Sequence, residues 1–514
     1  MAVIAHQNTH IAPYWGKHVN IKAGLNQLGI RNITEQMYAT LLPGLNNVSA
    51  RIRYYSFYCW IIRKFYEGRK KADEKSFKEY IRRAEFLLAL INTTLDNPTG
   101  VPGINRALTR KAANDSIILQ KEIYNEDGST RDTYWANPGG VLAQYYIASL
   151  IDMGIIGRNE KNGALYNVSK KGDFITGDKL ADAFEKSVAN SSKLFLDFLA
   201  SPLEIKISDL EPLKANFDMK SFPTEGEQNL LIELLLQKDF PGEELNSSIH
   251  RRTTIKLLLE CIKANPKKIS GQSFSEYIYN NYIPDCSDLT CWGWYSYYLD
   301  DQWQYWATLI FVEILEKLKS KITSVAIDDF TNEITGDIAT VLDCGDCTLG
   351  MYIQQLNKVN DSNSLTEALT SLLLLYKHNI KHHETSSSNY GVLGLTDDNF
   401  CDFETLIETW KNHKMSSFIK HYLTQEIIYR HYRISFRKLH QTGLATQKLI
   451  IEDGRLRFID TWFTTFTSPR IDTLKLFLQD LKIIDVVDES TLKTTPLGEA
   501  LLIRLQNEYA EKDS

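Results

Sequence analysis

The chain is poor in the residues that mark specialised chemistry. Its 514 residues hold seven cysteines, an odd number widely scattered, so no disulfide framework is expected and a reducing cytoplasm is the expected setting. Long apolar runs are missing too: the longest, Tyr305 to Leu315, is broken by Glu313 and is too short to cross a bilayer. The opening stretch MAVIAHQNTHIAPYWGKH has no signal-peptide pattern, and no membrane partner is expected. The sequence also lacks a G-x-x-x-x-G-K-S/T phosphate loop, a G-x-G-x-x-G turn after a strand, a G-x-S-x-G elbow and a kinase motif set. Binding is therefore a better expectation than catalysis, and no catalytic residue, cofactor or metal ligand is assigned.

What is present points to a folded, mainly helical protein. With 43% apolar and 11% aromatic residues, the chain can bury a sizeable core. Aliphatic residues recur at spacings of three and four in Ile81 to Leu95, Leu230 to Gln237, Ile255 to Lys263, Trp306 to Ile322 and Leu365 to Tyr376. A β-hairpin is expected at Lys448 to Ile459, turning at Asp453-Gly454. Turn formers at Asn97 to Gly103, Asn137 to Gly140, Pro223 to Gly226, Pro241-Gly242 and Thr385 to Gly391 mark loops. The expected fold is mainly α with small β elements and multidomain. It divides into a basic helical region at 1–124, a winged-helix-like unit at 125–190, a helical middle domain at 191–425, and a hairpin with a second winged-helix-like unit at 426–514.

Those two units rest on a pattern that occurs twice, in Tyr145 to Ile175 and Thr473 to Ile503. An apolar helical stripe runs into an aliphatic pair, Ile155-Ile156 or Ile483-Ile484. A polar stretch then leads to a strand ending in Ser169 or Thr495, and a glycine, Gly172 or Gly498, opens the next helix. This order resembles the second half of a winged helix-turn-helix domain, which binds DNA or other proteins.

Charge is unevenly spread. Residues 1–124 hold 18 Lys and Arg against 9 Asp and Glu, while the remainder holds 40 against 55. Arg51, Arg53, Arg63 and Lys64 lie among Tyr54, Tyr55, Phe57, Tyr58 and Trp60 on a helix that Ser49 could cap. Basic groups among rings suit phosphates and unpaired bases; the alternative is a buried aromatic helix with paired arginines. Lys170 and Lys171, after the first wing, and Arg433 and Arg437, within the basic segment Arg430 to His440, complete the candidate nucleic-acid contacts.

The block Leu41-Leu42-Pro43-Gly44, Arg53-Tyr54-Tyr55-Ser56-Phe57 and Trp60 resembles a family of uncharacterised bacterial proteins, some encoded near phage-defence or mobile-element genes. The resemblance spans some forty residues. It implies a bacterial, cytoplasmic setting and a defence role, with no catalytic residue.

Other clusters are weaker. Cys344-x-x-Cys347 and Cys286-x4-Cys291 could hold zinc, but their irregular spacing and apolar neighbours favour reduced, metal-free thiols. His378 and His382 would share a helical face beside His383 and Glu384, at a helix end where histidines are also ordinary. Trp292 to Trp306, with Asp300-Asp301, reads as a core or interface more readily than as a ligand surface. The hairpin near Glu452, Asp453 and Asp460 resembles a nuclease's acidic strands without the required lysine. The expected function is binding of DNA or RNA by an antiviral-defence or mobile-element protein. The alternatives are a scaffold or regulatory subunit for a partner ATPase or nuclease and, more weakly, a metal-dependent nuclease.

Overall fold

The segment after Pro43-Gly44 forms a helix, α1 (Arg53–Tyr66), entered through Ile52, with no side-chain cap from Ser49. Its polar faces do not reach water: Arg53, Tyr54, Tyr55, Ser56, Phe57, Tyr58, Cys59, Trp60, Ile61 and Ile62 are all buried. A helix apolar almost all round belongs inside a core. The computed structural model describes residues 26–67, 72–95, 100–170, 174–237, 247–267, 269–282, 288–443, 445–488 and 491–510.

Helices dominate, as expected, with short antiparallel strands between them. In chain order, the helices that position the sites begin with α1, α2 (Glu74–Asn92), α3 (Ile147–Asp152), α4 (Gly177–Ser187) and α5 (Glu225–Leu236). Then come α6 (Ser247–Ala264), α7 (Gly271–Asn281), α8 (Leu289–Lys319), α9 (Ser364–Asn379) and α10 (His383–Val392). The last are α11 (Phe400–Trp410), α12 (Arg430–Thr442), α13 (Ile471–Asp480) and α14 (Pro496–Ala510). The strands are β1 (Ser116–Ile117), β2 (Ile156–Arg158), β3 (Tyr166–Val168), β4 (Ile205–Lys206), β5 (Val325–Ala326), β6 (Leu449–Glu452), β7 (Arg455–Phe458), β8 (Ile484–Asp488) and β9 (Thr491–Thr494).

The chain divides into two compact units that each draw on separated stretches. One holds Met1–Met37, Tyr282–Ser287 and Trp292–Thr467; the other holds Tyr38–Asn281, Asp288–Cys291 and Ser468–Ser514. These divisions do not coincide with four consecutive regions.

In the unit that contains α1, a helix–hairpin–helix order occurs twice: α3, β2–β3, α4 and α13, β8–β9, α14. Both copies are built on the same backbone bonds. The first helix ends in a left-handed residue, Gly154 at φ 69° or Lys482 at φ 58°. Ile155 N–H then donates to Leu150 O at 3.1 Å, and Ile483 N–H donates to Leu478 O at 2.9 Å, each closing a Schellman-type cap. The same isoleucines accept from the hairpin exit, Ser169 N–H to Ile155 O and Thr495 N–H to Ile483 O, both at 3.0 Å. Finally, the Ser169 and Thr495 hydroxyls accept from Gly177 N–H at 2.9 Å and Gly498 N–H at 3.1 Å. Gly177, rather than Gly172, is thus the counterpart of Gly498; Gly172 lies outside the described residues.

Two of the longer helices upstream of each copy pack against it. In the first, α1 packs most extensively on α4, and Tyr66 at its end donates its hydroxyl to Tyr166 O in β3 at 3.0 Å. In the second, α6 packs on α14 and β9, and Leu492 N–H donates to Pro266 O at 2.9 Å, with Lys267 bridging Thr491. The series α1, α2, α3, β2, β3, α4 thus parallels α6, α7, α13, β8, β9, α14, except that the helix Ile104–Ala113, β1 and the short helices Leu119–Ile123 and Leu142–Tyr146 come between α2 and α3. Between α7 and α13 the chain builds most of the other unit.

That other unit centres on α8, whose rings Trp292, Trp294, Tyr295, Tyr297, Trp303 and Phe311 are buried. Asp300 and Asp301 are also buried, within a core rather than on a ligand surface. Asp300 accepts from Tyr390 Oη and Phe400 N, each at 2.8 Å, and Asp301 accepts from Thr467 N and Oγ1, each at 2.9 Å. The β6–β7 hairpin forms as expected, turning on Asp453 and Gly454 at φ 49° and 71°, with β5 added to β7. Thr385 to Gly391, expected as a loop, is helical within α10, because Ser386 and Tyr390 bury one of its faces.

Candidate functional site

The structure buries Arg53 and commits Arg51, Arg63 and Lys64, each partly exposed, to acidic partners. Arg53 is fully buried, and its Nε lies 3.1 Å from Glu227 Oε1 on α5, a carboxylate buried as completely. Arg53 also donates to Asp218 O at 2.6 Å and stacks over Phe184, its guanidinium carbon 5.0 Å from the ring centroid. Ser56 Oγ donates to Glu227 Oε1 at 2.6 Å, so the carboxylate is shared by two residues one turn apart. Arg53 is therefore a packing residue and not the phosphate contact that its place among the rings suggests.

Its neighbours are held by acidic partners. Arg51 pairs with Asp480 of α13 at 2.7 Å. Arg63 reaches Asp182 of α4 at 2.6 Å and Asp178 at 3.7 Å, and Lys64 reaches Glu67 and Glu185 at 2.9 Å each. The four basic residues set among these rings are thus each matched by an acid inside the fold. Lys170 is exposed, and Lys171 lies outside the described residues.

Arg433 and Arg437 fare differently. Both are exposed one turn apart on α12, and with Arg430, Ile434 and Asp398 they line an open cavity of about 390 Å³. Arg433 makes one long contact, to Gln425 O at 3.4 Å, whereas Arg430 pairs with Asp398 and Glu426. Phe436, half exposed, lies against Tyr432 with ring centroids 4.7 Å apart. The buried face of α12 is structural: His431 Nε2 accepts from Lys448 N at 3.0 Å, and burial pushes its pKa down to about 4.

The two hairpins differ in charge. The first carries Arg158, Lys161 and Lys170 against Glu160, all exposed. The second exposes Asp485 and Asp488 with Lys493, and between the aspartates Val486 and Val487 are each 56% exposed. The register of β8 against β9 shifts between Val486 and Asp488, leaving Val487 as the extra residue of a bulge, so both exposed valines lie where the strand bends and the alternation of faces is broken. β8 pairs with β9 on one edge; on the other, no strand pairs with it among the described residues. Sequence reading placed this hairpin without weighing its surface, although Asp485-Val486-Val487-Asp488 shows an apolar centre flanked by acids.

The histidine and cysteine clusters rearrange as well. His378 is exposed near the end of α9, and His382 sits in a separate 3₁₀ turn with its ring edge-on to Tyr295, so the two do not share a helical face. Cys344 is buried with its thiol toward Ala339 O at 3.7 Å, and Cys286 lies outside the described residues. No described helix is long and apolar enough to cross a membrane. Compared with family models, curated proteins and solved structures, the chain matches none.

Proposed function

We propose that the chain is an adaptor built on two winged helices, the second of which takes an extended segment of a partner protein along β8. Three helices followed by a hairpin, with the stretch after the first helix bridged to the last strand, is winged-helix order, and α6, α7, α13, β8 and β9 follow it. The observation that carries the proposal is the open edge of β8, apolar at Val486 and Val487 and acidic at Asp485 and Asp488.

An exposed strand edge offers unpaired backbone donors and acceptors to an incoming strand. Main-chain bonds would supply affinity, the valines apolar contact, and the aspartates a preference for Lys or Arg. The same surface repels phosphate. Lys475, the basic residue on α13, is committed to Asp472 at 2.7 Å and to Ile269 O. The N-terminal resemblance supports a bacterial defence or mobile-element setting, with an ATPase or nuclease as the class of partner. The test is the double change Val486→Lys and Val487→Lys, which should abolish complex formation with the partner while leaving the thermal melt unchanged.

A second reading, contact with DNA or RNA, is supported by the exposed Arg433 and Arg437 and by the basic first hairpin. It predicts binding that weakens steeply with salt.

A further inference from the structure

Three side chains from two helices converge in the unit built around α8. His383 opens α10, while Cys401 and Glu404 lie three residues apart on α11 and so share one of its faces. Their ligand atoms all fall within 4.8 Å of one another. His383 Nδ1 is 2.7 Å from Glu404 Oε2, and Glu404 and Cys401 are buried while His383 keeps 31% of its side chain exposed.

The two helices are fixed relative to each other by one buried group. Asp300 accepts from Tyr390 Oη of α10 through Oδ2 and from Phe400 N of α11 through Oδ1, each at 2.8 Å. The start of α11 is set further by a capping box in which Asn399 and Asp402 exchange bonds with each other's backbone. The ligand atoms are thus held by rigid elements, an arrangement that metal binding rewards.

We propose that His383, Cys401 and Glu404 bind zinc, with a fourth position open toward the exposed side of His383. An imidazole nitrogen, a thiolate and a carboxylate oxygen are each zinc ligands, and three protein ligands with an open side characterise exchangeable or reactive zinc rather than closed structural sites. Magnesium and calcium prefer all-oxygen cages, which a thiol and an imidazole do not make. Burial pushes the Cys401 thiol and the Glu404 carboxyl toward their neutral forms, and a divalent cation would offset that cost because both must lose a proton to bind it. The site is independent of the β8 proposal and departs from the expectation of metal-free thiols.

The test uses the full-length chain. After loading with Zn²⁺ and removal of the excess, elemental analysis should find one zinc per chain. Co²⁺ in its place should produce the near-ultraviolet charge-transfer band of a thiolate–cobalt bond. That band is read on the unaltered protein and so does not depend on a variant folding. Cys401→Ser should abolish the band and weaken zinc binding by about tenfold or more, whereas Cys344→Ser should leave both intact. A wild type that retains no zinc, cobalt bound without the thiolate band, or undiminished binding in both Cys401→Ser and Glu404→Gln would overturn the proposal.

Discussion

Gly177 packs directly on the carbonyl oxygen of Ile155, leaving no room for a Cβ, and Gly498 meets Ile483 in the same way in the second module. The contact lets each following helix start against the end of the helix before the hairpin. Because the obstructing atom is backbone, it cannot swing aside as a side chain would. Gly177→Ala and Gly498→Ala should each destabilise the protein by about 1–3 kcal/mol, measured by denaturant unfolding. Gly157→Ala meets open space and should cost much less.

Arg53 and Glu227 form the most deeply buried ion pair described, both fully enclosed. Removing one partner strands the other charge, so Arg53→Ala should cost about 3–5 kcal/mol. Replacing both by Met, which conserves volume approximately, should recover much of that loss. A thermal melt of the single and double variants checks this. An Arg53→Ala protein as stable as wild type would show that the pair does not hold α1 to α5.

Asp480 titrates against its own ion pair. Arg51 lies 2.7 Å away and draws its pKa down, yet burial outweighs that attraction and raises it from 3.8 to about 6. The folded protein therefore holds the proton more tightly than the unfolded chain. This contribution to stability is complete below about pH 4 and falls by about 2–3 kcal/mol as the pH rises to about 6. Urea melts across that range should show Asp480→Asn flattening the decline relative to wild type.

Both hairpins are legible in the sequence because an aliphatic pair after a helical stripe, a polar tip and a Ser/Thr exit impose the same backbone bonds twice. The wrong glycine aligns in the first copy because sequence spacing does not show that the chain takes five more residues to return to Ile155. The aromatic–arginine helix has one pattern with two meanings, and the partner that decides between them, Glu227, lies 174 residues beyond Arg53. Cys401 and Glu404 are visible as an i, i+3 pair, but His383 joins them only because Thr385 to Gly391 is helical. The excess positive charge of the N-terminal quarter is real in composition, but the four basic residues of the aromatic helix region are paired in space with Asp178, Asp182, Glu185, Glu227 and Asp480.

If nucleic acid is bound, Arg433 and Arg437, exposed one turn apart on α12, contribute to the contact. Changing both to Ala should lower affinity for duplex or single-stranded DNA, or RNA, and flatten the plot of log affinity against log salt by about one unit per lost phosphate contact. The quadruple change of Arg51, Arg53, Arg63 and Lys64 should act only through stability. Affinity unaffected by Arg433→Ala with Arg437→Ala, or absent in wild type at low salt, removes this reading.

The adaptor account is tested most directly by site-specific photocrosslinking in cells, with a benzophenone amino acid in place of Val487 and, as control, of the fully exposed Ile322. The account predicts an adduct from position 487 alone, mapping by mass spectrometry to one extended, Lys- or Arg-bearing segment of a single protein and lost when Asp485 and Asp488 are changed to Lys. Adducts to nucleic acid, equal adducts from both positions, or no adduct from position 487 would contradict it.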